Sequence, residues 1–148
     1  HIRGRILHQP EFKTASGRAH FSVCAIPEFR TSGDYPFMLT TVRSEGQFNT
    51  IVYEDQDAYR QTHSRWCVMM GTADLERLGI LPGERVTLHS AHGVMQDVVV
   101  EQFDLPPGDL MAYFPEANVL TGTAVDPRSK TPAFKATPVN VVRGSAPS

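Results

Sequence analysis

The strongest constraint on the fold of this chain is a pair of strand-like segments on either side of His92 and Gly93. Residues 85–90 alternate apolar and polar side chains, which is the period of a half-buried β-strand, and residues 94–101 supply an apolar-rich partner. A short glycine-containing turn between two such runs favours an antiparallel hairpin. The best-patterned part of the chain therefore predicts β-sheet.

Further short runs have the composition of strands and are separated by turn signals. They are residues 20–26, 36–42, 66–70, 110–114 and 138–143. About seven short strands with little helix predict a mainly β domain. Closure of the sheet into a barrel would remove its exposed edges, so we expect a β-barrel.

Two polar segments are candidates for short helices. Thr72 is placed as an N-cap for a helix over residues 73–78, with Gly79 as its C-terminal stop. Residues 54–65 are charged, and we interpret them as an exposed, partly helical excursion from the barrel.

The length and composition are those of one domain. A chain of 148 residues that is 41% hydrophobic and 20% charged can bury a single core. We assign residues 1–20 to a lead-in segment, 21–143 to the β-domain and 144–148 to a tail. No run of about 18 apolar residues is present, so membrane insertion is not expected. The chain starts at His1 without the apolar core of a secretory signal, and we expect it to be part of a longer polypeptide.

The cysteines and the charge exclude several kinds of site. Cys24 and Cys67 lie in apolar surroundings and fit neither a disulfide framework nor a paired metal motif. We interpret both as buried thiols in a reducing compartment and predict a cytoplasmic location. An iron–sulfur cluster normally needs more cysteine ligands than this, so any cluster would lie in other domains. The net charge of −2 does not favour a nucleic-acid partner, whereas a small anionic ligand or an acidic neighbouring domain suits the basic ends.

A first candidate binding motif follows the predicted strand over residues 36–42. Arg43 offers a planar fork for phosphate or carboxylate, and Gly46 lets backbone amides approach a ligand closely. Gln47 and Asn49 carry the donors and acceptors that reading a purine or pterin edge requires. The alternative from the residues alone is a capped turn with solvated polar side chains.

A second candidate is the long, proline-punctuated polar segment over residues 113–135. Ordered segments of this kind usually serve a ligand or an interface. Asn118 and Thr121 are candidates for polar contacts, Phe134 for stacking or anchoring, and Lys135 for a phosphate. Alternatively, Phe134 caps the barrel and Lys135 is solvated.

Known catalytic motifs are missing from the sequence. It contains neither a nucleophile elbow nor a phosphate-binding loop with its lysine. His89 and His92 lack further ligands at suitable spacing for zinc, and we interpret them as surface residues. Catalysis within this chain alone is therefore not expected.

Three motifs in order resemble one known family. They are TVRSEGQFNT at residues 41–50, ANVLT at residues 117–121, and the pair DP at 126–127 with TPAFK at 131–135. Together they resemble the C-terminal molybdopterin-dinucleotide-binding domain of the molybdopterin oxidoreductases, over about residues 12–143. Residues 73–86 are similar to that domain's short helix and following strand. The resemblance implies a double-psi β-barrel.

The resemblance also implies a cofactor and a set of site residues. The cofactor is molybdopterin guanine dinucleotide, with molybdenum or tungsten held by the full enzyme, and no residue here matches a metal ligand. Some relatives carry tyrosine where this chain has Phe134, so a hydroxyl contact there is absent. The expected cofactor-binding residues are Arg43, Gly46, Gln47, Phe48 and Asn49 on one side, and Asn118, Thr121, Phe134 and Lys135 on another.

The leading hypothesis is therefore the cofactor-binding C-terminal domain of a molybdenum or tungsten oxidoreductase. Residues 51–60 and 113–118 resemble formate-dehydrogenase-like alpha subunits in particular. The implied partners are the remaining domains of the parent catalytic subunit, with an electron-transfer subunit as a further candidate. The alternatives are a stand-alone pterin-binding small subunit and a β-barrel interaction module without a ligand.

Overall fold

The computed structural model describes residues 12–25, 31, 33–47 and 54–144. The described residues form six strands, one α-helix and one 3₁₀ helix. The strands are β1 (Phe37–Val42), β2 (Cys67–Met70), β3 (Arg85–Ser90), β4 (Val94–Gln102), β5 (Asp109–Tyr113) and β6 (Thr137–Arg143). The α-helix α1 spans Thr72–Leu78 and the 3₁₀ helix spans Glu116–Leu120.

The strands close into a barrel in the order β1-β5-β2-β4-β3-β6, with β6 pairing back onto β1. The β1–β5 and β2–β4 pairs are parallel and the other pairs are antiparallel. The prediction of a mainly β, closed barrel is confirmed, and so is the hairpin of β3 and β4. The double-psi arrangement stays a prediction. Among the described residues, no helix is long and apolar enough to cross a membrane.

The parallel pairing of β1 with β5 positions the candidate site. Parallel strands leave a sheet at the same edge, and here Val42 lies opposite Tyr113 at that edge. The backbone N–H of Phe114 donates to the carbonyl of Val42 at 2.8 Å, which keeps the two chains together as they leave the barrel. The segment that begins at Arg43 and the one that begins at Phe114 therefore start side by side.

The core fills the barrel and also extends behind β2. Alternate residues of β1 and β3 point inward, whereas all of β2 is buried. Val68 and Met70 belong to the main core, while Cys67 and Met69 pack with Tyr113 in a second cluster. Cys67 is fully buried, so the prediction of a buried thiol is confirmed for this residue. Its burial, reinforced by the negative charge of Glu101, raises the pKa of the thiol to about 12.

Helix α1 begins one residue earlier than predicted. Gly71 is the N-cap, and Thr72 lies inside the helix, where its hydroxyl oxygen accepts a bond from Gln102 Nε2 at 3.0 Å. A side chain at position 71 would meet the carbonyl oxygen of Leu105 at 2.5 Å, so this close approach requires glycine. The predicted stop is confirmed, because Gly79 adopts the left-handed conformation with φ +64°.

The strand predicted over residues 20–26 is wrong for the part that the structure describes. Residues 20–25 are outside any strand, and Phe21 and Val23 are exposed. Alternation produces a strand only where a partner strand and a core are available, and residues 20–25 find neither among the described residues. Cys24 is accordingly exposed, contrary to the prediction that it is buried.

The segment over residues 54–65 also differs from its prediction. It contains no helix, and an isolated antiparallel bridge joins Asp57 to Thr62. Asp57, Thr62 and Arg65 are buried rather than exposed. Charged side chains can be buried when each is paired and hydrogen-bonded, and these residues meet that condition.

Candidate functional site

A pocket of about 720 Å³ lies where β1 and β5 leave the barrel. It is lined by Thr41, Val42, Arg43, Arg60, Phe114, Phe134 and Lys135. Three of the predicted site residues, Arg43, Phe134 and Lys135, are therefore brought together although they come from two motifs far apart in sequence.

Hydrogen bonds to β1 hold Phe134 and Lys135 at the pocket. The carbonyl of Phe134 accepts bonds from the Thr41 hydroxyl at 2.9 Å and from the Thr41 N–H at 3.3 Å. The Thr40 hydroxyl donates to the carbonyl of Lys135 at 2.8 Å, and Lys135 Nζ donates to the carbonyl of Thr41. The last part of the long polar segment thus runs against β1 instead of projecting into solvent.

The pocket concentrates positive charge. Partial burial lowers the pKa of Lys135, and the nearby charge of Arg43 lowers it further. The Lys135 ammonium also lies 5.4 Å from the centre of the Phe134 ring. Like charges that repel each other in a partly desolvated pocket favour the binding of an anion between them.

The other described residues of the first motif build a turn. Gly46 is exposed at φ +74°, a left-handed conformation that glycine adopts without strain. Gln47 is buried, and its Nε2 donates to the carbonyl of Phe114 at 2.9 Å while its Oε1 accepts from the Ser44 N–H at 3.2 Å. Phe48 and Asn49 lie outside the described residues. Roles for Gly46 and Gln47 at a ligand stay predictions.

Asn118 and Thr121 do not line this pocket. Asn118 lies on the 3₁₀ helix, where its carbonyl accepts bonds from the Thr121 N–H at 3.0 Å and from the Thr121 hydroxyl at 2.9 Å. The helix packs against the β3–β4 turn so closely that a side chain at position 93 would meet the carbonyl oxygen of Val119 at 2.2 Å. The roles of Asn118 and Thr121 at a ligand also stay predictions.

Arg65 is a central residue that sequence reasoning missed. Its side chain is 2% exposed. Nε donates to Glu116 Oε1 at 2.7 Å, and Nη1 donates to Ser44 Oγ at 2.6 Å. Nη2 donates to Gln47 Oε1 at 3.0 Å and to the carbonyl of Phe114 at 2.5 Å. One buried guanidinium therefore connects the turn after β1 to the segment after β5.

A second missed group surrounds Asp57. Its Oδ2 accepts bonds from Arg60 Nη1 at 2.7 Å and from the Tyr113 hydroxyl at 2.9 Å. The Thr62 hydroxyl lies 2.8 Å from that of Tyr113. Burial acts to raise the pKa of Asp57, but the bonds from Arg60 and Tyr113 outweigh it and hold the pKa below the usual value. Burial raises the pKa of Tyr113 to about 12.

No simple sequence signal distinguishes these residues from solvated ones. Asp57, Arg60 and Arg65 lie among other charged residues in a segment whose composition is typical of an exposed loop. One clue is that Arg65 directly precedes Trp66 and the fully buried strand β2. Because strand β2 is buried, the end of the segment that precedes it lies close to the core.

A smaller cavity of about 290 Å³ is lined in part by the residues on either side of Phe134 and Lys135 in the sequence. Ala133 and Ala136 line it together with His92 and Thr137. Within residues 12–25, 31, 33–47 and 54–144, no group of three or more His, Cys, Asp or Glu side chains is arranged to hold a metal ion.

Comparison with known families gives a match over the barrel. Residues 37–138 match the family model of the molydopterin (molybdopterin) dinucleotide binding domain. The matched region starts with β1 and ends within β6. It therefore includes every residue that lines the larger pocket.

Several curated proteins are similar in sequence. An uncharacterized oxidoreductase of Mycobacterium tuberculosis is 34% identical over 88% of this chain and 17% of its own length. The assimilatory nitrate reductase of Haloferax mediterranei is 34% identical over 93% of this chain and 20% of its own length. Protein YdeP of Escherichia coli is 30% identical over 86% of this chain and 18% of its own length. The chain thus spans a fifth or less of the length of these relatives.

A solved structure shares the fold. Acetylene hydratase from Pelobacter acetylenicus aligns with a TM-score of 0.54 at 15% identity, over 74% of this chain and 18% of that protein. At this identity the likeness concerns the fold alone. It agrees with the closed barrel described above.

Proposed function

This chain belongs to the molybdopterin dinucleotide binding domain family, and from that premise we propose that its pocket of about 720 Å³ binds part of the dinucleotide cofactor. The observation that carries the proposal is the convergence of Arg43, Lys135 and Phe134 on one pocket. They come from two of the three motifs on which the family resemblance rests.

The residues present fit the chemistry of a dinucleotide. A pyrophosphate is a compact polyanion, and the pocket presents an arginine fork and a lysine ammonium to it. The rings of Phe114 and Phe134 offer apolar surface to a heterocycle or a ribose. A buried phosphate oxygen or ring nitrogen left without a partner would cost roughly 1–3 kcal/mol, so fixed donors at these positions favour binding.

The chain's own role is to bind and orient. When bound, the cofactor supplies the two-electron redox chemistry, and the protein supplies position and electrostatics. Arg43 and Lys135 would hold negative charge, while the bonds from Thr40 and Thr41 keep the Phe134–Lys135 backbone in place. The structure carries no residue set for a metal among its described residues, so the metal ligands are proposed to come from other domains.

For the parent protein we propose a molybdenum- or tungsten-dependent oxidoreductase of the formate-dehydrogenase-like kind, with guanosine as the nucleotide of its cofactor. The resemblance of residues 51–60 and 113–118 to such alpha subunits supports this placement. The other domains of the parent chain are its proposed partners, together with an electron-transfer subunit. The free thiols of Cys24 and Cys67 support a cytoplasmic location. Formate oxidation and nitrate reduction by the purified full-length protein would separate this placement from a nitrate-reductase-like one.

The cofactor role is tested by removing the pocket cations in the full-length protein. Arg43→Ala and Lys135→Ala should each lower pterin and metal content by about tenfold, because a charge-assisted contact to phosphate is lost. Pterin is measured by the fluorescence of its oxidised form, and metal by mass spectrometry.

Lys130→Ala is the matched control, since Lys130 is exposed on the same polar segment and does not line the pocket. Its cofactor content should equal that of the wild type. Unchanged content in both pocket variants would contradict the proposal and favour a barrel that serves as an interaction module.

A further inference from the structure

Arg60 lines the same pocket as Arg43 and Lys135, although no sequence motif assigned it there. We propose that Arg60 is a third anion-binding residue of this pocket, which makes the pocket selective for two linked phosphates over a single phosphate. The inference rests on the proposed cofactor role and adds to it a residue and a ligand preference.

The hydrogen bonds of Arg60 leave one edge of its guanidinium open. Nη1 donates to Asp57 Oδ2 at 2.7 Å and to the carbonyl of Arg43 at 3.1 Å. Among the described residues, Nε and Nη2 have no protein acceptor. These two nitrogens form the edge that binds paired oxygens of phosphate or carboxylate. A side chain fixed by one nitrogen and open along the other edge is arranged to receive an oxyanion.

The side chain is also held in one position before any ligand arrives. Asp57, which anchors it, is itself fixed by the Tyr113 hydroxyl at 2.9 Å and by the N–H of Tyr59 at 3.0 Å. The Arg60 guanidinium lies 5.6 Å from the centre of the Tyr59 ring, and its side chain is 18% exposed. A long cation that is already ordered loses less conformational entropy on binding than a free surface arginine.

The charge of the pocket suits a ligand with more than one negative charge. Arg43, Arg60 and Lys135 contribute positive charge, and Asp57 offsets part of it. Asp57 faces Arg60 and Tyr113 from behind the pocket and is not itself a lining residue. A pyrophosphate spans enough length to contact separate cations of the pocket at once, whereas a single phosphate is more compact.

The test uses full-length protein made in a host that cannot synthesise molybdopterin, titrated calorimetrically with inorganic pyrophosphate and with orthophosphate. The wild type should bind pyrophosphate at least about tenfold more tightly than orthophosphate. Arg60→Gln should weaken pyrophosphate binding by about tenfold and change orthophosphate binding by less than about threefold, because Arg43 and Lys135 still hold a single phosphate.

Two further variants separate charge from geometry. Arg60→Lys keeps the charge but loses the planar fork, so its pyrophosphate affinity should lie between those of wild type and Arg60→Gln. Arg85→Gln removes the same charge from an exposed arginine on β3 that does not line the pocket, and should stay within about twofold of the wild type.

The outcomes distinguish this inference from the proposed cofactor-binding role of the pocket. If Arg60→Gln and Arg60→Lys bind pyrophosphate as the wild type does while Arg43→Ala and Lys135→Ala bind it weakly, Arg60 is not a ligand-binding residue and the cofactor role survives. If the wild type shows no preference for pyrophosphate and the pocket variants change nothing, both proposals are wrong.

Discussion

Arg60 and Arg65 come from the same short segment, yet their surroundings differ sharply. Arg65 is 2% exposed, and each of its guanidinium nitrogens donates to a protein acceptor. Arg60 lines the pocket, and its hydrogen bonds to the part of the chain that the structure describes use Nη1 alone. An arginine whose donors are all used within the fold can stabilise structure but cannot receive a ligand, whereas one with an open edge can do so.

The two residues are also connected through the loops that they contact. Arg65 joins Ser44 and Gln47 to Phe114 and Glu116, while Arg60 donates to the carbonyl of Arg43. Arg65 therefore sets the shape of the two loops, and Arg60 adds charge to the pocket that they border. Changes at Arg65 should act on stability first, and changes at Arg60 on binding first.

The largest expected effect is that of Arg65→Met on the free energy of unfolding. This change leaves the partly buried carboxylate of Glu116 and the buried amide of Gln47 without their cationic partner. Breaking a buried ion pair on one side typically costs about 3–5 kcal/mol. Equilibrium urea unfolding followed by the fluorescence of Trp66 measures the change.

Arg85→Met is the control for that experiment, because Arg85 is a half-exposed arginine whose ion pair with Asp97 lies at the surface. It should change the free energy of unfolding by no more than about 0.5 kcal/mol. Equal changes in the free energy of unfolding would show that Arg65 stabilises the fold no more than the surface residue Arg85 does.

A smaller effect is expected for Tyr113→Phe, which keeps the aromatic ring and removes its hydroxyl. The ring, 4.8 Å from the Arg65 guanidinium carbon, still packs against that residue. The buried Asp57 and Thr62 each lose a hydrogen-bond partner, which should lower the free energy of unfolding by about 1–2 kcal/mol. Pyrophosphate binding should also weaken, because Asp57 then orders Arg60 less well. An unchanged affinity together with the expected loss of stability would show that the Tyr113 bond does not affect the pocket.

The smallest effect concerns the dependence of stability on pH. The folded-state pKa of Asp57 lies below its usual value of 3.8, so its contribution is present above that value and is lost as the pH falls through the folded-state pKa. The stability difference between wild type and Asp57→Asn should therefore shrink as the pH falls below about 4. Urea unfolding between about pH 3 and pH 6 measures this difference. A difference that stays constant over that range would mean that Asp57 does not titrate as the hydrogen bonds indicate.

Much of the fold could be predicted because it depends on local patterns of apolar residues and turn residues in the sequence. The hairpin of β3 and β4, the apolar runs of β1, β5 and β6, and the glycine that ends α1 all follow from periodicity and turn chemistry. The strand predicted over residues 20–26 is wrong for the described residues 20–25, because the alternating Phe21 and Val23 have no partner strand in the part of the chain that the structure describes. Periodicity indicates that a segment suits a sheet, and only the other strands decide whether a place is available.

For the candidate site, the sequence offers residue types but not their arrangement. Arg43, Phe134 and Lys135 belong to motifs with recognisable residue types and line one pocket, and their roles at a ligand stay predictions. The sequence predicts that Asp57, Arg60 and Arg65 are exposed, since charged residues in a loop usually are. The burial of Arg65 depends on Glu116 and the carbonyl of Phe114, which lie about fifty positions away along the chain, and that of Asp57 on the equally distant Tyr113 hydroxyl.

The sequence by itself determined a mainly β chain, its strongest strands and turns, and the family to which it is similar, because these depend on neighbouring residues and on ordered motifs. The tertiary structure alone decided which cationic side chains are hydrogen-bonded within the protein and which face the pocket. Parallel pairing of β1 and β5 brings two distant loops to one edge of the barrel. Whether an arginine there finds its acceptors in the protein or leaves an edge open for a ligand depends on groups that only folding brings within hydrogen-bond distance.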